Sequence, residues 1–203
     1  MRITTFLAFS LMVFGAIGVV AARYFALPKG VHLGIFAIGA GVLIGALESL
    51  HTRRMSLRAS HDAAGDYDGV PAIIWGLMLL LIAACTIGAA YAMDAGRWNA
   101  VTAYLHQRPG ALYALCGLLL MGAGALAFVN PHGQRVWWKT LLFRLPRVLF
   151  AVLLTLAGLI ALACGAWEWI DPRDFQKGSR MILSIIESSL PAGWPRAAVR
   201  WLR

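Results

Sequence analysis

VHLGIFAIGAGVLIGALESL, residues 31–50, decides the fold class. These residues carry one carboxylate, Glu48, close to the end, and no lysine or arginine. Such a stretch matches the roughly 20 residues that cross a hydrocarbon core about 30 Å thick, where a helix satisfies its own backbone. Four more runs share its character. The apolar segments are Thr4 to Ala22, Val31 to Leu50, Pro71 to Met93, Gly110 to Val129 and Pro146 to Ile170. They predict an all-α integral membrane protein with five transmembrane helices in a close-packed bundle. Pro71, Pro109 and Pro146 fall at or beside expected helix starts, where a missing N–H costs nothing, and Pro131 and Pro172 follow expected ends. Trp137 and Trp138 before the fifth run, and Trp167 and Trp169 at its close, match the aromatic belts of a bilayer interface.

Composition points the same way. Of 203 residues 60% are hydrophobic and only 13% charged, and the mean hydropathy is +0.72, which excludes an ordinary soluble domain. A net charge of +9 raises the question of nucleic acid. The arginines, however, sit at the ends of apolar runs and not on one polar face, so anionic phospholipid headgroups are the expected partner and nucleic acid is not. Arg2 followed by an apolar stretch ending in VVAARY has the outline of a secretory signal. We read it as a retained membrane helix.

Orientation follows from the basic residues near the helix ends. The N-terminal side holds Arg2, Arg53, Arg54, Arg58, Arg135, Lys139, Arg144 and Arg147; the other side holds Arg23, Lys29, Arg97 and Arg108 in loops and Arg173, Lys177 and Arg180 just after the fifth run. Loops alone favour the first group, and the positive-inside rule then places the N-terminus in the cytoplasm. Arginines outnumber lysines fifteen to three, which fits a GC-rich bacterial genome and hence a bacterial inner membrane.

Small residues recur every seven positions in each run. They are Ala8, Gly15 and Ala22; Gly34 and Gly41; Gly76, Ala83 and Ala90; Gly110, Gly117 and Gly124; and Ala151, Gly158 and Gly165. Seven residues return to nearly the same helix face, so each set forms a groove that another backbone can enter. Gly30 with Gly34 and Gly41 with Gly45 are in addition GxxxG pairs. The expected packing residues are therefore Gly34, Gly41, Gly45, Gly117, Gly124, Gly158 and Gly165.

Three carboxylates extend these stripes. Glu48 lies seven residues after Gly41, Asp94 four after Ala90 and Glu168 three after Gly165. Ionisable groups on a packed face mark candidate ion or proton sites, but all three stand within about a turn of a helix end, where water and arginines reach. Glu48 is expected to be structural, capping or pairing with Arg53 or Arg54.

Other chemistry finds less support. A membrane-embedded haem needs facing imidazoles from two helices; His32, His51, His106 and His132 sit at helix ends or just outside and His61 in a loop, with no spacing that demands a pair. Cys85, Cys116 and Cys164 lie one per helix, without a CxxC, and read as buried small hydrophobes. The loop HDAAGDYDG, residues 61–69, carries His61, Asp62, Asp66 and Asp68 but has alanine at 64 and Trp75 where a calcium loop needs its last glutamate, so it reads as a solvated turn. No metal site is expected. Phosphate-binding, dinucleotide-binding, zinc-protease and serine-hydrolase motifs do not occur, nor does an inverted repeat.

Amphipathic segments complete the reading. In QRVWWKTLLFRLPR, residues 134–147, Trp137, Trp138, Leu141, Leu142 and Leu145 share one helical face, an interfacial lead into the fifth span. Residues 172–203 form a basic tail beyond a membrane domain of residues 1–171, with Trp194 and Trp201 opposite Arg196, Arg200 and Arg203, suited to lie on lipid or dock on a neighbouring subunit. The leading expectation is a non-catalytic accessory subunit of a larger inner-membrane complex, in contact with other integral membrane subunits. The alternatives are a small oligomeric transporter using Glu48, Asp94 or Glu168, and a haem-binding electron-transfer subunit.

Overall fold

The computed structural model describes residues 3–27, 29–56, 66–128, 137–178 and 181. Its helices are α1 (Ile3–Tyr24), α2 (Gly30–Thr52), α3 (Val70–Asp94), α4 (Trp98–Gln107), α5 (Gly110–Phe128) and α6 (Trp137–Ile170). Five stretches are long and apolar enough to cross a membrane: α1, α2, α3, α5 and the Pro146–Ile170 part of α6. The chain is an all-α, multi-pass membrane protein with five membrane-spanning helices.

Each spanning helix packs on its predecessor and its successor in the chain, giving an antiparallel row in the order α1, α2, α3, α5, α6. The α1/α2, α2/α3 and α5/α6 seams are extensive, whereas α3 and α5 meet over a thinner one. The seams themselves are tight, but the five helices do not gather around one interior. Only 11–22% of the most apolar window of each span is buried within the protein. Outward faces carry Phe6, Phe9, Phe14, Phe36, Leu153 and Ile160, each at least half exposed within the chain.

Small residues line what is buried. In α1 the buried positions are Ala8, Gly15 and Ala22, and α2 buries Gly34 and Gly41 together with Gly39, Ala46 and Ser49. A methyl group placed on Gly15 would stand 2.7 Å from the Gly34 carbonyl oxygen, one on Gly34 would stand 2.8 Å from that of Gly15, and one on Gly41 would stand 2.6 Å from that of Ala8. The α5/α6 hairpin repeats the design. Gly117 faces the Gly158 carbonyl at 2.7 Å and is faced in return at 2.8 Å, with Gly165 against the Gly110 carbonyl at 2.7 Å and Gly124 against that of Ala151 at 3.0 Å, measured in the same way. One helix steps forward by seven while its antiparallel partner steps back by seven, so the same face meets at every second turn. Lipid tails are as apolar as leucine, so burial alone does not draw helices together; close backbone approach supplies the van der Waals contact that does.

The middle seam uses other contacts. Gly39 sits against Thr86 and Ile87 of α3, Gly76 lies under Leu50, and the buried Ser49 hydroxyl donates to the Ala72 carbonyl at 2.7 Å. Across α3 and α5, Gly122 makes room for the Met78 side chain.

Several expectations from sequence need correction. Gly45 has open space where a side chain would stand: at its position on α2 it points away from both neighbouring seams, so only Gly41 of that GxxxG pair is a close contact. Pro146 lies inside α6 and does not open it, because helical backbone begins at Trp137. A proline within a helix removes one backbone bond and crowds the preceding turn, which bends a helix without ending it. The expected interfacial lead is thus the first part of one long helix. Cys85 and Cys116 are exposed on outward faces and Cys164 is half-buried, since the seams are already filled by glycine and alanine. Residues 66–68 are not a turn. Asp66–Asp68 pairs antiparallel with Arg54–Ser56, Arg54 opposite Asp68, in a two-stranded ribbon between α2 and α3. Arg53 and Gly69 flank it with φ of 51° and 74°, and the Gly69 N–H donates to the Arg53 carbonyl at 2.8 Å.

Helix α4 was not foreseen. Its ten residues are too short to span and bury none of their number, but Trp98, Val101 and Tyr104, all partly or largely exposed, recur at three-residue intervals as expected of a helix lying along an interface.

Substitution separates the two kinds of glycine. Gly41→Ala should lower thermal stability by about 1–3 kcal/mol, the usual cost of overpacking a close contact. Gly45→Ala should be neutral or mildly stabilising, because alanine is the better helix former where space is free. Equal melting shifts for the two variants in detergent would contradict the seam described here.

Candidate functional site

The three near-membrane carboxylates lie at two different ends of the row. Because the helices alternate in direction, Glu48, near the end of α2, stands at the end where α1 begins, whereas Asp94 and Glu168, ending α3 and α6, stand at the opposite end. α3 and α6 do not share a major seam. The sequence candidates therefore occupy three separate environments.

Glu48 faces α1. The Thr5 hydroxyl lies 3.2 Å from each carboxylate oxygen and donates to them, tying the start of α1 to the last turns of α2. The end of α2 is also closed by Thr52, whose hydroxyl donates to the Glu48 carbonyl at 2.8 Å. A shallow groove beside the carboxylate is lined by Thr4, Ile44, Leu47, Glu48, His51 and Thr52. Its walls are mostly aliphatic, and Glu48 remains half-buried there.

Asp94 departs from the expected packed position. Its side chain is 58% exposed, and one oxygen lies 4.0 Å from His32 Nδ1 on α2. Asp94 is the last residue of α3, and the chain leaves that helix through Ala95 and Gly96, the latter with φ of 67°. His32 is only partly buried, its Nδ1 being shielded from solvent without a hydrogen bond among the described residues. His51 and His106 are exposed. Two of the five histidines, His61 and His132, lie outside the described residues.

Glu168 is the buried carboxylate. It is 2% exposed, the largest fully buried side chain in the described part of the protein. The stripe explains why. Gly110 at the start of α5 and Gly165 one turn earlier on α6 bring the two backbones together, and Glu168 Oε2 lies over Gly110, in the space that a side chain there would fill. Beyond it the chain turns through Asp171, whose Oδ1 accepts the N–H groups of Arg173 and Asp174 at 3.1 Å each and caps a short helix, 172–178. That helix sets Phe175 against Trp167 and Tyr113, with ring centroids 5.8 and 5.9 Å apart.

At the other end of α6, Arg147 Nε donates to the Ala127 carbonyl at 2.9 Å and ties the helix to the last turn of α5. Sequence reading gave this arginine only a topological role; its position one residue after Pro146, opposite the end of a glycine-rich helix, is the available clue.

No group of three or more histidine, cysteine, aspartate or glutamate side chains able to hold a metal ion occurs among the described residues. The side chains of Trp137 and Trp138, and all of Trp194, Arg196, Arg200, Trp201 and Arg203, lie outside the described residues. Comparison with family models, curated proteins and solved structures finds no match for the chain.

Two neighbouring substitutions grade the polar contacts at the α2 end. Ser49→Ala removes a buried hydroxyl bond between helices and should cost about 1 kcal/mol, within the range measured for such bonds in membrane proteins. Glu48→Gln leaves Thr5 an oxygen to donate to and should shift the melting temperature less. A large loss of stability in Glu48→Gln beside a silent Ser49→Ala would reverse this ranking.

Proposed function

We propose that the chain is a non-catalytic accessory subunit of a larger membrane complex, with its row of helices laid against other integral membrane subunits. The open row carries this reading. Five antiparallel helices spend their small residues on one another and turn their large apolar side chains outward, which leaves the row with wide apolar surface for other membrane helices. A transporter using Glu48, Asp94 or Glu168 would need to link opposite ends of the row. The three carboxylates are divided between those ends, and the two that share an end, Asp94 and Glu168, stand on helices with no major seam between them.

In this proposal the complex belongs to a bacterial inner membrane, the N-terminus faces the cytoplasm and anionic phospholipids meet the basic helix ends. Exposed aromatic residues support an interface at the end opposite the N-terminus, where Tyr24, Tyr91, Trp98, Tyr104 and Trp169 gather. By its sequence the basic tail suits the same surface, Trp194 and Trp201 being matched to an interface and Arg196, Arg200 and Arg203 to phosphates.

Isolation from native membranes in a mild detergent, followed by mass analysis, tests the proposal. It predicts one or more different membrane proteins at fixed stoichiometry, and weaker recovery of them when residues 191–203 are deleted. Recovery of the chain alone or as copies of itself, with solute uptake in reconstituted vesicles, would overturn it. A visible absorption spectrum of the purified chain distinguishes a haem subunit at once.

A further inference from the structure

The thin seam between α3 and α5 is closed at one end and open toward the other. Near the start of α3, Gly122 receives the Met78 side chain, and Leu126, one turn further along α5, is buried. Toward α4 the same sides of the two helices come out of contact. Ile82 and Leu118, each one turn from the Met78 and Gly122 layer and level with one another, are exposed. In the next layer Cys85, seven residues after Met78, is exposed, and Leu115, seven before Gly122, is half-buried. Residues four or seven apart share a helix side, so helices packed along their whole length would cover these four. The connection accounts for the opening: residues 25–29 alone join α1 to α2, whereas residues 95–109 join α3 to α5 and include α4, which touches the ends of both. At the top of the opening Ala92, seven residues after Cys85, is buried, and its carbonyl accepts the Arg97 N–H at 2.8 Å. We propose that an anionic phospholipid occupies this cleft, one acyl chain lying between α3 and α5 and its phosphate at the mouth, near Arg97 and Arg108.

Depth selects this occupant. Ile82 stands twelve residues before the end of α3, about 18 Å at 1.5 Å per residue, close to half of a hydrocarbon core about 30 Å thick. The opening therefore runs through one leaflet only. A partner's spanning helix needs the full depth and would meet the closed Met78 and Gly122 layer, whereas an acyl chain ends at the bilayer centre. Charge selects the headgroup. The walls, Ile82, Cys85, Leu115 and Leu118, carry no charge, while Arg97 and Arg108 cap the two ends of α4 and are exposed, a setting that attracts anionic lipid. The acids at this end lie elsewhere: Asp94 is beside His32 of α2, and Glu168 is enclosed between α5 and α6. Trp98 and Tyr104, exposed on α4, suit the headgroup level. This inference gives a place to the anionic phospholipid of the reading above and rests on that part of it, not on the accessory role.

Photo-cross-linking in vesicles reads the cleft directly. The purified chain is placed in phosphatidylcholine vesicles containing a minority of phosphatidylglycerol, with a trace of either lipid carrying a photoactivatable group midway along one chain, and the attachment sites are mapped by mass analysis. The phosphatidylglycerol probe should mark the peptides holding residues 82–85 and 115–118 several-fold more than the phosphatidylcholine probe does. Arg97→Gln combined with Arg108→Gln should remove that preference and leave the labelling of the outward faces of α1 and α6 unchanged. Cys85→Trp, which fills the cleft, should remove the label there for both probes. Equal labelling by the two probes, label no denser in the cleft than on α1 and α6, or a preference that survives loss of both arginines would overturn the proposal. The comparison of probes on the unmutated chain stands even if Cys85→Trp fails to fold. No partner protein is present in the vesicles, so a negative result removes the lipid site and leaves the accessory role standing.

Discussion

The carbonyl oxygen of one helix, set where a neighbouring glycine has no side chain, is the contact on which the rest of this protein depends. It occurs reciprocally between Gly15 and Gly34, and again between Gly117 and Gly158. Inside a membrane, apolar side chains gain little by leaving lipid for protein, so what holds two helices together is how closely their backbones approach. Close approach needs small residues on both faces at matching heights. The seven-residue recurrence provides them, and antiparallel pairing brings each to its partner. Two separate hairpins, α1/α2 and α5/α6, reach the same solution.

The consequence is that, among the described residues, the buried positions are glycine and alanine apart from Ser49, Leu126, Glu168 and Phe175. Large side chains have no place in such seams and point outward. This makes a row a natural arrangement: each helix has a neighbour on either side and spare apolar surface besides. Glu168 is the charged exception among the described residues. It lies three residues beyond Gly165, opposite Gly110, so that this layer of the seam encloses a carboxylate beside the Gly165 carbonyl.

The spans were legible in the sequence because length and polarity alone mark a membrane helix, and the stripe was legible because it needs only residue size and period. What stayed hidden has physical causes too. The GxxxG spacing cannot tell Gly41 from Gly45, since such a pair spans both the face that meets α1 and a direction that meets nothing, and only the seven-residue recurrence, which holds Gly41 and not Gly45, separates them. Pro146 reads as a helix start by local chemistry, yet one lost backbone bond does not outweigh the helical residues on either side of it. Helix α4 fell below the length that signals a span, and strands of three residues carry too little alternation to be recognised. The stripe places Asp94 and Glu168 alike on packed faces; Asp94, the last residue of α3, is exposed, whereas Gly110 leaves the room that Glu168 fills.

Cysteine cross-linking in native membranes tests most directly whether the helices form a row held by neighbour contacts. In a chain freed of its own cysteines, residues 5 and 48 replaced by cysteine should join α1 to α2 within one molecule, because Thr5 and Glu48 touch in the structure. Residues 7 and 148, at the same end of α1 and α6, should remain unlinked within a molecule, because those helices stand at opposite ends of the row. Efficient linkage of the second pair within single chains, or failure of the first, would show a closed bundle and contradict the row.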